Sequence, residues 1–385
     1  MIEGVPPSTL ALVDSSAFQH NLRQARKHAP HSRVMAVIKA NAYGHGLVRV
    51  ARALQDADAL AVARVKEGIV LRKAGITTRI VVLQGFLNRD ELDAHHNFQL
   101  EPVVHGLHQL RLLTSCNDLN QLYLWLKLDT GMNRLGFQQA DWQAVTDWLH
   151  QHQNKLAGLT WMTHLANADD VSDTTTMKQI KLFREFTSGR SEAVSIANSA
   201  GILGWKKSHT EWIRPGLMLY GVSPFTDRTG SDLALRPAMT LQSRLVSIKQ
   251  LQAGDAVGYG GDWVCSQPMR LGVVAIGYGD GYPRAAQTGS LVVVNGVTVP
   301  IVGRISMDML TVDLTACPTA HEGDEVILWG EQLAVETLAK SSATIAYTLL
   351  CGITRRVGIV DVAQTNENVE IQSQLVVERE EAVQE

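Results

Sequence analysis

The chain has 385 residues, which is enough for two or three domains. Hydrophobic residues make up 45% of it, and its formal net charge of −3 gives no electrostatic reason to expect a nucleic-acid partner. The sequence from Met1 to Asp14 lacks the basic start and apolar run of a signal peptide, and no apolar stretch is long enough to span a membrane. We therefore expect a cytoplasmic protein without membrane contact.

Short apolar runs alternate with helix-like segments through the first half of the chain. Both faces of these runs are apolar, as in parallel strands covered by helices. Eight such units predict a (β/α)8 barrel of the TIM type, and a doubly wound open sheet is the alternative. The predicted strands are Val34–Ala40, Ala59–Arg64, Arg79–Gly85, Leu100–Val104, Leu122–Leu128, Ala157–His164, Ala193–Asn198 and Trp212–Leu219, and the clearest helices are Ser15–His28, Val65–Ala74 and Ser172–Ser188.

The pattern changes near residue 230. From Leu233 the apolar runs alternate with polar residues and are separated by Gly, Asp and Pro, which predicts a mainly β domain over residues 231–365. Asn295-Gly296 between two such runs is a strong signal for a hairpin with a type I′ turn. Residues 1–230 would form the α/β barrel, and the Glu- and Gln-rich residues 366–385 a solvated acidic tail.

Lys39 lies near the end of the first apolar run, where a barrel carries its functional groups. A lysine flanked by apolar residues on a strand is costly unless it is paired or used covalently. The alternative is an edge lysine whose amine reaches water. A desolvated lysine has a lowered pKa and can form a Schiff base, and the surrounding residues 36–46, AVIKANAYGHG, favour that use.

This segment resembles the cofactor-binding signature of the alanine racemases, which are fold-type III enzymes dependent on pyridoxal 5′-phosphate (PLP). Further matches extend from about residue 33 to residue 357. The resemblance implies a barrel, a β domain and a homodimer whose active sites lie between subunits. It also implies that Lys39 carries PLP covalently.

Tyr259 lies between glycines in residues 257–261, VGYGG, where a tyrosine is usually only a turn aromatic. The segment resembles the one that carries the racemases' tyrosine base. Racemisation removes the α-proton from one face and returns a proton to the other, which is simplest with two bases. The resemblance assigns Lys39 to the D-face and Tyr259 of the partner subunit to the L-face.

Several further residues match cofactor-binding positions of the family. Arg214 would face the pyridine nitrogen; because arginine keeps its proton, it would leave that nitrogen unprotonated and suppress side reactions. Its alternative is a structural salt bridge at a strand end. Small residues at a strand-to-helix turn near the last barrel strands form anion sites, although they also serve as simple helix caps. The resemblance assigns cofactor binding to Tyr43, His164, Asn198, Ser199, Gly216, Leu217 and Tyr347.

The segment 127–136, KLDTGMNRLG, matches the family's substrate region. The resemblance implies that Arg134 and the backbone N–H of Met307 hold the substrate carboxylate, since a guanidinium suits a carboxylate. It also implies a carbamylated Lys127 that orients the arginine. The alternative is an ordinary surface pair between Lys127 and Asp129.

Residues 276–284, IGYGDGYPR, and 303–308, GRISMD, resemble two signatures of the second domain. The resemblance places Tyr278, Arg284 and Arg304 along the substrate channel. Asp280 lacks the spacing of a calcium loop, and the four cysteines lack zinc-like spacing, so we predict no metal site.

The sequence thus favours an enzyme that interconverts L- and D-alanine, either supplying D-alanine for peptidoglycan or degrading it. A broad-specificity racemase of the same fold is the first alternative. A fold-type III decarboxylase would need an acidic residue in place of Arg214. A non-catalytic PLP-binding barrel would lack the β domain that carries Tyr259 and Met307.

Overall fold

A computed structural model describes residues 8–115 and 122–362 of the chain. The chain divides into two compact units, one spanning Ala17–Arg236 and the other combining Met1–Ser16 with Pro237–Glu385. The predicted barrel domain, residues 1–230, therefore starts earlier and ends earlier than the observed unit. The predicted tail, residues 366–385, lies outside the described residues.

The N-terminal strand β1 (Leu10–Asp14) belongs to the second unit, which corrects the prediction that the barrel domain starts at residue 1. The physical reason is its pairing: β1 runs antiparallel to residues 239–242 and parallel to residues 358–362. Alternate residues of β1 are buried, as expected for a strand with one face on a core. The helix α1 (Ser15–His28) follows directly and has the bounds predicted from the sequence.

Eight parallel strands form a closed barrel, which confirms the predicted architecture and excludes the open sheet. The first strand pairs with both the second and the eighth, so the barrel has no free edge. The strands are β2 (Arg33–Val37), β3 (Ala59–Val62), β4 (Ile80–Val82), β5 (Leu100–Val104), β6 (Tyr123–Lys127), β7 (Gly158–Met162), β8 (Ala193–Ser195) and β9 (Trp212–Ile213).

Helices follow the barrel strands and present apolar faces to them. They are α3 (Leu47–Ala53), α4 (Val65–Lys73), α5 (Arg89–Asn97), α6 (Leu107–Thr114), α7 (Trp142–His152), α8 (Thr175–Thr187) and α9 (Ser199–Gly204), whereas the short segment α2 (Lys39–Tyr43) before them has left-handed backbone angles. Seven of the eight strands end before their predicted apolar runs do, and only β5 keeps its predicted end. Two of these early ends have a local backbone cause. After β2 the backbone enters the left-handed region at Ala40, and after β9 Pro215 cannot donate a ladder hydrogen bond.

The second unit is mainly β, as predicted. Its strands are β10 (Met239–Leu251), β11 (Ala256–Val257), β12 (Trp263–Val264), β13 (Met269–Val274), β14 (Leu291–Val294), β15 (Val297–Pro300), β16 (Leu310–Asp313), β17 (Glu325–Trp329) and β18 (Gly358–Val362), with the helices α10 (Val335–Ser341) and α11 (Ala346–Cys351). Val294 pairs with Val297 across the β14–β15 hairpin, and Asn295 and Gly296 have φ values of 49° and 77°. These positive values confirm the predicted hairpin turn.

Candidate active site

Lys39 follows the carboxyl end of β2 and begins a turn with an unusual backbone. The three residues after it have φ and ψ angles of 56° and 56° at Ala40, 51° and 43° at Asn41, and 50° and 53° at Ala42. Tyr43 continues the turn with φ 52°. A left-handed conformation costs about 1–2 kcal/mol at each residue that has a Cβ. The surroundings must therefore enforce this turn, which presents a partly buried Lys39 and a buried Tyr43.

A small cradle forms where the turn meets the ends of the last two strands. Ser199 Oγ accepts hydrogen bonds from the backbone N–H of Gly216 (2.9 Å) and of Met218 (3.3 Å). A Cβ at position 216 would lie 2.8 Å from Tyr43 Oη, so a larger residue there would displace the tyrosine hydroxyl. Leu217 begins a buried 3-10 helix after Gly216, and Asn198 Oδ1 caps α9 by accepting from Gly201 N.

Arg214 is buried at the end of β9 and donates to neutral oxygens. Its guanidinium contacts Ser195 Oγ at 2.6 Å, the Thr163 carbonyl at 2.5 Å and the Ile196 carbonyl at 3.2 Å. Burial lowers the pKa of Arg214 to about 10, which still leaves it protonated near neutral pH. The predicted alternative, a salt bridge at a strand end, does not match these partners.

Lys127, the last residue of β6, is also buried and is 8% exposed. Burial, reinforced by the nearby Arg214 and Arg134, lowers the pKa of Lys127 to about 7, while Asp129 acts in the opposite direction. The Asp129 carboxylate accepts the N–H groups of Gly131 and Asn133 and so holds the loop that leads to Arg134. The predicted alternative, an ordinary surface pair between Lys127 and Asp129, does not fit a buried Lys127.

His164 lies just past the end of β7. Burial, followed by the charges of Arg214 and Lys127, holds the pKa of His164 well below its usual value. Its imidazole is thus neutral at physiological pH. The structure brings His164 close enough to Lys39 and Arg134 for both to contribute to this effect.

The mouth of the barrel consequently holds an excess of positive charge. Arg214, Arg134 and Lys39 all lie close enough to Lys127 to lower its pKa, and the Asp129 carboxylate opposes them there. Buried cations are stable only when anions or strong acceptors accompany them. The donor set fits PLP: it offers an amine for a covalent bond, hydroxyl and N–H groups around a glycine for a phosphate, and a buried guanidinium for a ring nitrogen.

A buried polar network supports these groups and was not predicted from the sequence. Gln179 of α8 accepts from Ala166 N at 2.9 Å and donates to the His164 carbonyl at 3.1 Å and to Thr130 Oγ1 at 3.4 Å. Thr130 Oγ1 lies 2.8 Å from Thr163 Oγ1, which donates to the Leu128 carbonyl at 3.0 Å.

The donor and acceptor roles of the two hydroxyl groups in this network follow from their partners. Because the Thr163 hydroxyl donates its hydrogen to the Leu128 carbonyl, the Thr130 hydroxyl must donate to Thr163 and accept from Gln179. Thr163 also supplies the carbonyl that receives Arg214. The only hint of this network in the sequence is that Thr163 directly precedes His164. Gln179 lies on a helix whose predicted inward residues are Ile180, Phe183 and Phe186.

In the second unit, Tyr259 lies on an exposed turn. It begins a 3-10 helix between Gly258 and Gly260, which have φ values of 76° and 80°, and it is 70% exposed. Arg304 forms an ion pair with Asp262 beside this turn. Arg304 thus lies beside the turn that carries Tyr259.

Tyr278 and Met307 also lie together. Tyr278 N donates to the Ser306 carbonyl at 3.1 Å, and Gly279 N donates to the Met307 carbonyl at 2.8 Å. Arg356 bridges this pair of loops by contacting Asp280 at 3.1 Å and Asp308 at 2.8 Å.

The side chains at these loops face outward: Met307 is 53%, Tyr278 39% and Tyr347 of α11 38% exposed, and Arg284 is exposed in the loop beyond. Within the described ranges, no group of histidines, cysteines and carboxylates is arranged to hold a metal ion. None of the helices described is long and apolar enough to cross a membrane.

Comparisons with known proteins cover both units. The family model for the N-terminal domain of alanine racemase matches residues 13–224, and that for the C-terminal domain matches residues 238–360. Alanine racemase of Vibrio vulnificus is 47% identical over 347 residues, covering 90% of this chain and 97% of the relative.

Solved structures agree with these matches. The biosynthetic alanine racemase of Pseudomonas aeruginosa superposes with a TM-score of 0.88 at 38% identity, covering 94% of this chain and all of the other. The alanine racemase of Bartonella henselae, solved with covalently bound pyridoxal phosphate, gives a TM-score of 0.84 at 28% identity, covering 93% and 100%. With both domains matched, the chain belongs to the alanine racemase family of amino-acid racemases.

Proposed function

We propose that this protein interconverts L- and D-alanine with PLP held through Lys39. The observation that carries the proposal is the group of basic side chains gathered around Lys39 at the mouth of the barrel, of which Lys127 and Arg214 are buried. A phosphorylated cofactor and an amino-acid carboxylate are the anions that balance it. When bound through the amine, PLP stabilises the negative charge that develops at the α-carbon.

The cofactor contacts follow from the barrel geometry. Tyr43 Oη, Ser199 Oγ and the turn at Gly216 and Leu217 would hold the phosphate, together with Asn198 and with Tyr347 from the second unit. Arg214 would donate to the ring nitrogen. Because its pKa stays near 10, it keeps its proton and withholds one from the ring, which limits side reactions such as transamination.

We infer that two bases move the α-proton. Lys39 Nζ serves the D-face and Tyr259 Oη the L-face. The exposure of Tyr259 supports a role in which it reaches a site on a second copy of the chain, so we propose a homodimer with shared active sites. The neutral imidazole of His164 would lie between Arg214 and the tyrosine. It would couple the tyrosine to the Arg214 cation without adding a charge of its own.

The substrate carboxylate would bind Arg134 and the Met307 N–H, which no hydrogen bond among the described residues uses. Lys127, with its pKa near 7, is neutral often enough to react with CO2. In that reaction the Lys127 nitrogen bonds to the carbon of CO2 and releases a proton, which leaves a carbamate anion. The anion would offset the surrounding cations and orient Arg134.

Access to the site would pass Tyr278, Arg284 and Arg304. A narrow channel favours alanine over larger amino acids, with serine as a poor substrate. We further propose a cytoplasmic enzyme whose D-alanine serves peptidoglycan synthesis, with degradation of D-alanine as the alternative role.

Purified protein with added PLP and L-alanine in D2O tests the proposal. We expect loss of optical activity together with deuterium at the α-carbon. Repeating the assay with serine, lysine and arginine distinguishes an alanine racemase from a broad-specificity enzyme. Absence of exchange with every amino acid, despite bound PLP, would contradict racemisation and favour a non-catalytic PLP-binding protein or a decarboxylase.

A further inference from the structure

His45 belongs to the segment that carries Lys39, but none of the roles above uses it. It is fully buried, at 0% exposure, although it is a polar residue. Its ring packs against Phe18 at 5.8 Å and Tyr220 at 4.8 Å between centroids, and the ring of Tyr43 lies 4.4 Å from the same Tyr220. His45 thus shares an aromatic cluster with a residue of the phosphate cradle.

The contacts of His45 fix its protonation state. Nδ1 lies 2.9 Å from the Tyr43 carbonyl and 3.2 Å from the Ala42 carbonyl. Carbonyls only accept, so Nδ1 carries the hydrogen. Burial lowers the pKa of His45 to about 4, which makes the ring neutral and leaves Nε2 without a hydrogen. The ring therefore acts as a fixed donor to the last two residues of the left-handed turn.

The start of the same turn is held from a different element. Glu67 of α4 accepts from Ala40 N at 2.8 Å, and its other oxygen accepts from Ala63 N at 2.8 Å and Arg64 N at 3.0 Å. One carboxylate thus ties the residue after Lys39 to the end of β3 and the first turn of α4.

Asn41 closes the turn on itself, since its side chain accepts from Leu47 N and its carbonyl accepts from Gly46 N. The turn from Ala40 to Tyr43 is therefore held at its start by Glu67, in its middle by Asn41 and at its end by His45. All four of its residues carry a Cβ in the left-handed region, so this backbone persists only while it is held.

We propose that His45 and Glu67 are positioning residues that hold the left-handed turn and thereby fix Lys39 and Tyr43 for the cofactor. The nature of that cofactor rests on the proposed function. Without the clamps, the backbone relaxes toward right-handed angles. Tyr43 Oη then leaves its place against Gly216, and the Lys39 amine leaves the mouth of the barrel.

The test compares two replacements of His45. In His45→Asn the side-chain amide can place an N–H where Nδ1 stands, whereas His45→Leu keeps a similar volume without a donor. We expect His45→Leu to weaken PLP retention in equilibrium dialysis by at least about ten-fold and to diminish the visible absorbance of the Lys39-linked cofactor. His45→Asn should remain close to the unsubstituted protein in both.

His95 provides a matched control. It is a buried barrel histidine that also contacts two carbonyls, those of Leu100 and Gly85, but it lies on α5. His95→Leu should lower thermal stability comparably and leave PLP retention unchanged. Equal PLP retention in His45→Leu and the unsubstituted protein would overturn the proposal, as would equal losses in His45→Leu and His95→Leu.

Glu67→Gln provides a second test of the proposal, which applies even if His45→Leu does not fold. The neutral amide has one accepting oxygen where the carboxylate uses two, so PLP retention should fall in this variant as well. PLP retention equal to that of the unsubstituted protein would overturn the clamp. Failure of the proposed function is a separate outcome, since it appears as absent PLP binding or absent racemisation in the unsubstituted protein.

Discussion

The two units prepare their functional residues in opposite ways. In the barrel unit the groups are buried, and their surroundings shift their pKa values: Lys127 to about 7 and Arg214 to about 10. In the β unit, Tyr259 is 70% exposed on a turn between glycines. The barrel unit thus shifts the pKa values of its groups by burial, whereas the β unit presents its tyrosine to solvent.

This difference explains why the two units should respond differently to substitution. A change in the barrel should alter cofactor binding and the charges around it. A change at the exposed turn should remove a reactive group and leave the cofactor in place.

Lys39→Ala should abolish racemisation, by at least about 10⁴-fold, because it removes both the covalent attachment and one base. The visible absorbance of the linked cofactor should disappear as well. Lys178→Ala, at an exposed lysine of α8, is the control and should change neither measurement. Retained covalent cofactor in Lys39→Ala would contradict the assignment.

Tyr259→Phe should lower racemisation by about 10³-fold in both directions while PLP stays bound, since phenylalanine keeps the ring but cannot hold the proton. Initial rates from L- and D-alanine, with the absorbance spectrum, measure this. Val264→Ala, at another exposed position of the β unit, should retain activity. Loss of PLP from Tyr259→Phe would instead give the tyrosine a structural role.

Lys127 should bind CO2 in a pH-dependent manner. Carbamate forms from the neutral amine, so at a fixed CO2 pressure its occupancy should rise as pH increases through about 7, the lowered pKa, and fall at lower pH. ¹³C NMR of protein equilibrated with ¹³CO2 detects it, and Lys127→Gln should remove the signal. A signal that appears only near pH 10 would show that the pKa of Lys127 is not lowered, which would contradict its burial among cations.

Thr163→Val should have the smallest effect. It preserves shape but interrupts the hydrogen bonds between Gln179 and the Leu128 carbonyl, at a cost of about 1–3 kcal/mol in the free energy of unfolding. PLP should still bind and turnover should change little, because the Thr163 carbonyl that accepts from Arg214 belongs to the backbone and is kept. Denaturant unfolding measures the cost, and Thr187→Val on α8 provides the comparison. A larger loss from Thr187→Val would contradict the importance of this network.

Much of the fold could be predicted because its signals are local. Each barrel strand is a short apolar run, and Asn295-Gly296 specifies its hairpin by the angles these two residues tolerate. The placement of Lys39, Lys127 and His164 at the mouth follows, because each is the last or next-to-last residue of a predicted strand. Arg214 lies only two residues into its predicted run and comes at a strand end because β9 stops at Ile213.

Other features depend on contacts that are distant in the sequence. The assignment of β1 to the β unit rests on partners more than 200 residues away, so its sequence alone resembles that of any half-buried strand. The left-handed turn contains two alanines, which do not favour positive φ, and it is held by contacts that include Glu67 from another helix and the buried His45. Gln179 lies on a largely polar helix, so the sequence does not indicate that tertiary packing buries its side chain.

A heterodimer of two inactive variants tests most directly the claim that the barrel of one subunit works with the β unit of another. Lys39→Ala and Tyr259→Phe subunits are co-expressed with different tags, and the mixed dimer is isolated by sequential affinity steps. One site then combines an intact Lys39 with an intact tyrosine from the other subunit, so we predict about half the rate of the unsubstituted protein. A mixed dimer as inactive as both parents would place both bases in one chain and contradict the shared site.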